Sequence, residues 1–319
     1  MSTLPPDNSY VFDGTGMDRL ATRRKDAAWL TKTLAAPETR FVPMQGVHNV
    51  VVRDGNQPRA LFLDQREAQP LLAQARDKVL LGKVGGRNCF ALLLDETMPL
   101  PGGERGDLRQ LGVLMDDVEL ALLGYARALA HWHQQHLYCG HCGTATASMQ
   151  AGHERRCPAC GTQQFPRLDP AIIVLVTHGE SCLLGRQKSW PPKRYATLAG
   201  FVEPGESLEA AVKREVHEET DVRVGEVVYQ GSQPWPFPSS LMLGFRASAE
   251  STAIHCRDGE LEHAAWFSRD ELIAEVKAGR LLLSPSRSIS YRLIRSWFEE
   301  HLDYSFERLH YQDPSLISR

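Results

Sequence analysis

No apolar run in this sequence is long enough to cross a bilayer. The longest pure apolar stretches, residues 89–94 and 171–176, fall far short of the ~20 residues a spanning helix needs. Nor does one sign of charge dominate. Lys and Arg number 36 against 39 Asp and Glu, a net charge of −3. That balance excludes capture of nucleic acid by bulk charge and leaves only a local basic patch for that role. The opening Met1-Ser2-Thr3-Leu4-Pro5-Pro6 lacks a charged segment followed by an apolar one, so no secretory signal is expected. Internal repeats and low-complexity tracts are missing too. Cysteine is scarce, at seven in 319 residues, and four of the seven form two Cys-x-x-Cys pairs. An odd count with that clustering points to a metal site in a reducing compartment, not a disulfide framework. With 42% apolar and 24% charged residues, the chain has an ordinary globular composition and room for about two domains. The expectation is a soluble, cytoplasmic protein with no membrane partner.

The first hundred residues carry apolar stretches at 10–12, 50–52, 60–63 and 90–94, punctuated by Gly, Pro and Asp. They read as short strands in an α+β or mostly β domain with a structural or dimer-forming role. Residues 68–81 read as a helix with Pro70 near its start. After 101–103 the spacing of Met115, Val118, Leu122, Ala126 and Leu129 predicts a helix over 108–136. A buried strand is expected at 171–176, with a hairpin partner at 182–184. A helix at 206–220, strands at 224–230 and 241–246, and helices at 269–277 and 288–301 complete the reading.

The cysteine pairs, Cys139/Cys142 and Cys157/Cys160, are separated by 14 residues and each is followed by Gly. The Gly permits the tight turn in which backbone N–H groups point at thiolates. Four thiolates at this spacing form a closed tetrahedral cage for a structural Zn²⁺. His131, His133, His136, His141 and His153 crowd the region, but four Cys make them unnecessary as ligands, so they read as solvated or capping. Arg155, Arg156, Lys193 and Arg194 are the local basic residues that RNA binding would use. Cys89, Cys182 and Cys256 read as small packed residues.

The most informative segment is 200–222. Glu215, Glu218 and Glu219 stand at i, i+3 and i+4, so a helix projects all three from one face. Three crowded carboxylates call for a cation, and oxygen-only donors suit Mg²⁺ or Mn²⁺, which bridge to phosphates. An isolated cluster of this kind is usually a solvated helix face. Here the whole pattern G-x5-E-x7-R-E-U-x-E-E-x-(G)-U, with U apolar, is met at Gly200, Glu206, Arg214, Glu215, Val216, Glu218, Glu219 and Val222. It resembles the Nudix box of hydrolases that cleave nucleoside diphosphates linked to another moiety. The one departure is Asp221, where the family usually has Gly. Asp visits the left-handed backbone wanted there, at a modest stability cost.

Downstream, Gln233-Pro234-Trp235-Pro236-Phe237-Pro238-Ser239-Ser240 alternates prolines with aromatics, a rigid extended loop able to present rings to a flat ligand or to pack. Together with the box and the four-Cys module, this run resembles the NADH pyrophosphatase family, the NudC-type NAD-capped RNA hydrolases, over about residues 108–301. The resemblance implies an α+β chain. Its parts would be an N-terminal α+β domain (1–107), a connecting helix (108–138), a zinc ribbon (139–165), a C-terminal Nudix α/β/α sandwich with a mixed sheet (166–302) and a tail (303–319). It further implies that Glu215, Glu218, Glu219 and the Ala199 carbonyl hold Mg²⁺ or Mn²⁺ and that Arg214 orients a carboxylate. Residues 233–240 would line the dinucleotide pocket, with Phe165 and Phe201 as ring clamps, Glu260 facing substrate or metal, and Ser290 at a substrate-contacting position. The implied reaction is hydrolysis of NAD(H) to AMP and nicotinamide mononucleotide, with NAD-capped RNA as a further substrate and a homodimer as the assembly. The rivals are a Nudix hydrolase for ADP-ribose or a diadenosine compound, and a zinc-ribbon nucleic-acid-binding protein with an inactive Nudix domain.

Overall fold

A computed structural model of the chain describes residues 10–14, 16–257, 259–300 and 306–310. The N-terminal hexapeptide read for a signal, and the tail at 303–319 apart from 306–310, lie outside the described residues. Two compact units emerge. One comprises residues 11–168 with 235–239; the other comprises Tyr10, 169–234 and the chain from 240 onward.

The first unit holds β1 (Met17–Asp18), α1 (Ala27–Leu34), β2 (Arg40–Gln45), β3 (His48–Asp54), β4 (Gln57–Ala60), α2 (Gln65–Leu72), β5 (Asp77–Val84), β6 (Arg87–Leu94) and β7 (Glu104–Gly106). The sheet order is β1-β5-β6-β2-β3-β4, with β7 on β3, and β2 runs parallel to β6. The apolar run at 89–94 is explained by burial on both faces. Phe90, Leu92 and Leu94 face a cluster with Phe41 and Leu71, while Cys89, Ala91 and Leu93 alternate into a second cluster with Leu122, Ala126 and Leu129. Pro58 sits on the edge strand β4, where its missing N–H breaks no ladder.

Three expectations are corrected here. Residues 68–81 are not one helix: α2 begins earlier, in a capping box of Asp64 and Glu67, and ends at Leu72, after which β5 pairs with β6. The upstream cap, not the apolar run, sets that helix. Residues 108–136 divide into α3 (Leu108–Leu111) and α4 (Asp117–Gln135), because Asp107 and Asp116 each cap a separate start. Residues 10–12 form a turn, with Phe12 at φ 75°, which a strand cannot hold.

The chain then enters a three-stranded sheet, β8 (Ala147–Met149), β9 (Glu154–Arg156) and β10 (Gln163–Gln164), in the order β10-β9-β8. This ribbon is riveted to the first sheet. His153 Nε2 bonds the Leu80 carbonyl at 2.7 Å, and His133 Nε2 bonds the Gly152 carbonyl at 2.8 Å. His133 Nδ1 lies 2.8 Å from Arg155 Nη1 and 3.3 Å from Asp77, and Arg155 Nη1 also donates to Asp77 at 3.0 Å. Burial pushes the Asp77 carboxyl up, but the His133 ring and the Arg155 guanidinium outweigh it and hold it below its usual range. His133, His153 and Arg155 are therefore buried parts of the framework, neither solvated nor aimed at RNA. Cys256 is exposed, not packed, whereas Cys89 and Cys182 are buried.

The second unit holds β11 (Asp169–His178), β12 (Ser181–Gln187), β13 (Leu198–Phe201), α5 (Leu208–Thr220), β14 (Val224–Trp235), β15 (Ser240–Ala249), β16 (Leu261–Ser268), α6 (Arg269–Lys277), α7 (Ile289–Glu299) and α8 (Phe306–His310). Its mixed sheet runs β14-β15-β11-β12-β16, with β13 on β11. β11 and β15 are parallel, and β11 and β12 form the expected hairpin. Strand β11 again alternates. Ile172, Val174 and Val176 pack with α5, and Ile173 and Leu175 pack with α7. Among the described residues no helix is long and apolar enough to cross a membrane.

Candidate active site and metal centre

Helix α5 starts where Ser207 accepts from the Ala210 N–H at 3.2 Å and ends at Asp221, whose φ of 63° is the left-handed conformation expected of it. Ala211, Val212 and Val216 anchor one face in the core. The carboxylates then meet three different environments. Glu219 is buried, the Glu215 side chain is 13% exposed, and the Glu218 side chain is 52% exposed.

Arg214 organises them. Its Nε and Nη2 grip both oxygens of Glu206 at 2.8 and 2.9 Å, while Nη1 reaches Glu215 at 2.9 Å and Glu218 at 3.0 Å. Nη2 also donates to the Phe201 carbonyl at 2.9 Å, tying the helix to the end of β13. Glu206 matched the motif but was not read as a site residue; its role as the bidentate partner of Arg214 becomes visible only in three dimensions. The Arg214 hydrogen bonds, helped by the Glu203 N–H, hold the Glu206 carboxyl at about 2. Glu215 goes the other way. Burial raises its pKa, Arg214 pulls it back, and the charges of Glu218 and Glu260 push it further up.

Gly200 explains the first position of the box. A Cβ there would lie 1.9 Å from Glu215 Cδ, so only glycine leaves room for that carboxylate against β13. Ala199 is its neighbour, opposite Ile173 of β11. Glu215 in that cradle and Glu218, joined to it through Arg214, offer oxygen donors of the kind a hard divalent ion takes, while Glu219 is not brought into the same group.

The four cysteines converge. Sulfur separations are 3.6 Å for Cys139–Cys160, 3.4 Å for Cys142–Cys157 and 3.6 Å for Cys142–Cys160. Tetrahedral Zn–S bonds of ~2.3 Å require sulfurs about 3.8 Å apart, so the quartet fits zinc. The two knuckles match each other. Gly143 and Gly161, at φ 73° and 76°, return N–H bonds to the Cys139 and Cys157 carbonyls. Thr144 and Thr162 place hydroxyls 3.4 and 3.1 Å from Cys142 and Cys160. Backbone N–H groups lower the pKa of Cys139, and the threonines lower those of Cys142 and Cys160. At Cys157 the Cys160 N–H pulls down, but burial and neighbouring sulfurs raise it to about 11. Four such sulfurs ionise together only around a cation. Among the described residues this is the only group of three or more Cys, His, Asp or Glu with ligand atoms within 4.8 Å of one another.

The remaining predicted residues are distributed over both units. Gln233 is buried, donating to the Arg287 carbonyl at 2.8 Å and accepting from the Ile289 N–H at 2.9 Å, so its amide fixes the start of α7. Pro234 and Trp235 end β14, an edge strand, so the motif is strand as well as loop. In the first unit Trp235 and Phe237 stand edge-on to each other at 5.0 Å and both meet Phe12 edge-on. Arg127, which the sequence did not single out, donates to the Pro236 carbonyl at 3.0 Å and lies with Arg109 over the Phe237 ring. Pro236 is buried, Pro238 exposed, Ser239 half-buried, and Ser240 buried opposite Asp169. Phe165 and Phe201 are exposed rings, at 43% and 61%. Ser290 is buried, its hydroxyl bonded to Thr197 and Ser284. Glu260 is exposed, at the start of β16, and acts electrostatically on Glu215.

Relatives bear on all of this. NAD-capped RNA hydrolase NudC of Mycobacterium tuberculosis is 38% identical over 299 residues, spanning 88% of this chain and 91% of that protein. This chain belongs to the NADH pyrophosphatase family of Nudix hydrolases. NudC of Pseudomonas aeruginosa is 46% identical over 211 residues (65% of this chain, 73% of the relative). Human NAD-capped RNA hydrolase NUDT12 is 34% identical over 339 residues (90% and 72%). Three family models match the chain: an NADH pyrophosphatase-like rudimentary NUDIX domain at 38–132, an NADH pyrophosphatase zinc ribbon domain at 134–165, and a NUDIX domain at 167–285.

Proposed function

We propose that this enzyme hydrolyses the pyrophosphate bond of NAD(H) to AMP and nicotinamide mononucleotide, and that the same cut removes NAD caps from RNA 5′ ends. The observation that carries the reading is the box realised as the end of β13, a loop and helix α5, with Gly200 opening the cradle and Arg214 ordering Glu206, Glu215 and Glu218. Glu215, Glu218, Glu219 and the Ala199 carbonyl are the groups that would hold Mg²⁺ or Mn²⁺. When bound, such ions neutralise phosphate charge and acidify a water.

The residues divide the remaining work. Glu218 meets solvent and is our choice to accept the attacking water's proton; buried Glu219 is better suited to a fixed ligand position. Arg214 contacts Glu215 and Glu218 at once, so it keeps like charges in register before any ion arrives. Phe201, an exposed ring at the end of β13, supplies apolar surface for the nicotinamide or the adenine. The Cys quartet binds Zn²⁺ as a structural staple. A cytoplasmic homodimer completes the reading, and sedimentation of the purified protein tests the dimer.

Side-by-side turnover of NADH, NAD and NAD-capped RNA with Mg²⁺ and with Mn²⁺ is the decisive experiment. Metal-dependent release of AMP and nicotinamide mononucleotide supports the proposal. Preferential cleavage of ADP-ribose or a diadenosine compound would replace the substrate, and salt-sensitive RNA binding without turnover would replace the class.

A further inference from the structure

Asp221 stands where the family usually has glycine, in a left-handed backbone at φ 63° that glycine adopts without strain. The aspartate is held there by an arginine and two imidazoles. Its Oδ2 accepts from His255 Nδ1 at 3.1 Å and from Arg257 Nη2, and His217 Nδ1 lies 3.7 Å from Oδ1. Backbone bonds stitch the same place: His255 N–H to the Thr220 carbonyl at 2.9 Å, Glu250 N–H to the Arg223 carbonyl at 2.7 Å, and Arg223 N–H to Ser251 Oγ at 2.9 Å. The stitched segment leaves β15, runs through 250–257, and leads to Glu260 at the start of β16. Glu260 in turn bears on Glu215 electrostatically.

We propose that Asp221 is a positioning residue, a latch that fastens segment 250–257 to the end of the box helix and so sets Glu260 beside the α5 carboxylates. This rests on the reading of Glu215, Glu218 and Glu219 as the reacting centre. The latch separates function from stability in a way glycine would not. Replacing Asp221 by Gly relaxes the backbone while releasing the segment's tethers.

The test uses the full chain carrying Asp221→Gly, Asp221→Asn, Glu260→Gln, and Asp221→Gly with Glu260→Gln. Amide exchange across 250–257, Tm, and kcat/KM for NADH with Mn²⁺ are measured for each. Asp221→Gly is expected to speed exchange about tenfold or more and to leave Tm unchanged or higher. It should lower kcat/KM about fivefold, with Asp221→Asn between it and wild type. In the Glu260→Gln background the same change should cost less than about twofold, because the two residues act as one unit. Unchanged exchange in Asp221→Gly, or an equal kinetic loss in both backgrounds, overturns the latch. A wild-type protein that turns over no NADH with any divalent ion refutes the functional reading instead. In that case exchange alone decides: faster exchange in Asp221→Gly upholds the latch, and unchanged exchange rejects it.

Discussion

In the first unit β5-β6-β2-β3 lie side by side with β2 parallel to β6, and in the second β14-β15-β11-β12 lie in the same order with β11 parallel to β15. A helix precedes the first strand of each run, α2 before β5 and α5 before β14. The backbone plan is thus drawn twice, yet only one copy carries the chemistry. Helix α2 has eight residues, includes Pro70, and uses Glu67 to close its own capping box. Helix α5 has 13 residues and gives Arg214, Glu215 and Glu218 to one cluster. A repeated fold does not by itself repeat a function. The first unit also holds the cysteine ribbon, and on the proposed reading the pyrophosphate is cut in the second.

The sharpest break of that division is in the ribbon. Cys157→Ser removes one of four ligands from a closed site, and structural zinc supplies on the order of 10 kcal/mol of apparent folding energy. Loss of zinc by elemental analysis and loss of soluble, cooperatively melting protein are expected. In the second unit, Glu219→Gln should lower kcat by roughly 10²–10⁴-fold while Tm moves by no more than a few degrees, checked by NADH turnover and a thermal melt.

A pH effect belongs to the first unit. Burial lowers the His153 pKa from 6.5 to about 4. The unfolded chain therefore takes up the proton first as pH falls, so this contribution is fully present above pH 6.5 and is lost progressively toward pH 4. The full effect is on the order of 3 kcal/mol. Urea melts across that window should show the decline, and His153→Gln should flatten it. Smallest of all, Glu67→Ala in α2 should cost about 1 kcal/mol through the lost cap and leave turnover unchanged. An activity loss there would mean that the first sheet is more than scaffold.

What the sequence made legible follows from the range of each signal. The box helix, its left-handed Asp221 terminus, the β11–β12 hairpin and the cysteine quartet are local patterns, and the structure holds each close to its expected place. The failures were non-local. Arg155 looks like a surface cation in sequence but is buried against Asp77 and His133, 78 and 22 residues away. His153 likewise bonds Leu80, 73 residues away. Periodicity could not separate α2 from β5, because only residues 73–76, with no Gly or Pro among them, part the two. The grip of Arg127 on the Pro236 loop, across 109 residues, left no local trace at all.

The central claim is that the second sheet is the catalytic one, cutting a dinucleotide pyrophosphate. Product analysis of NADH incubated with purified wild-type protein and Mn²⁺, beside Glu219→Gln, tests it most directly. The account predicts equimolar AMP and reduced nicotinamide mononucleotide from wild type and almost none from the variant. Full activity in the variant, or no cleavage by wild type with either Mg²⁺ or Mn²⁺, would contradict it.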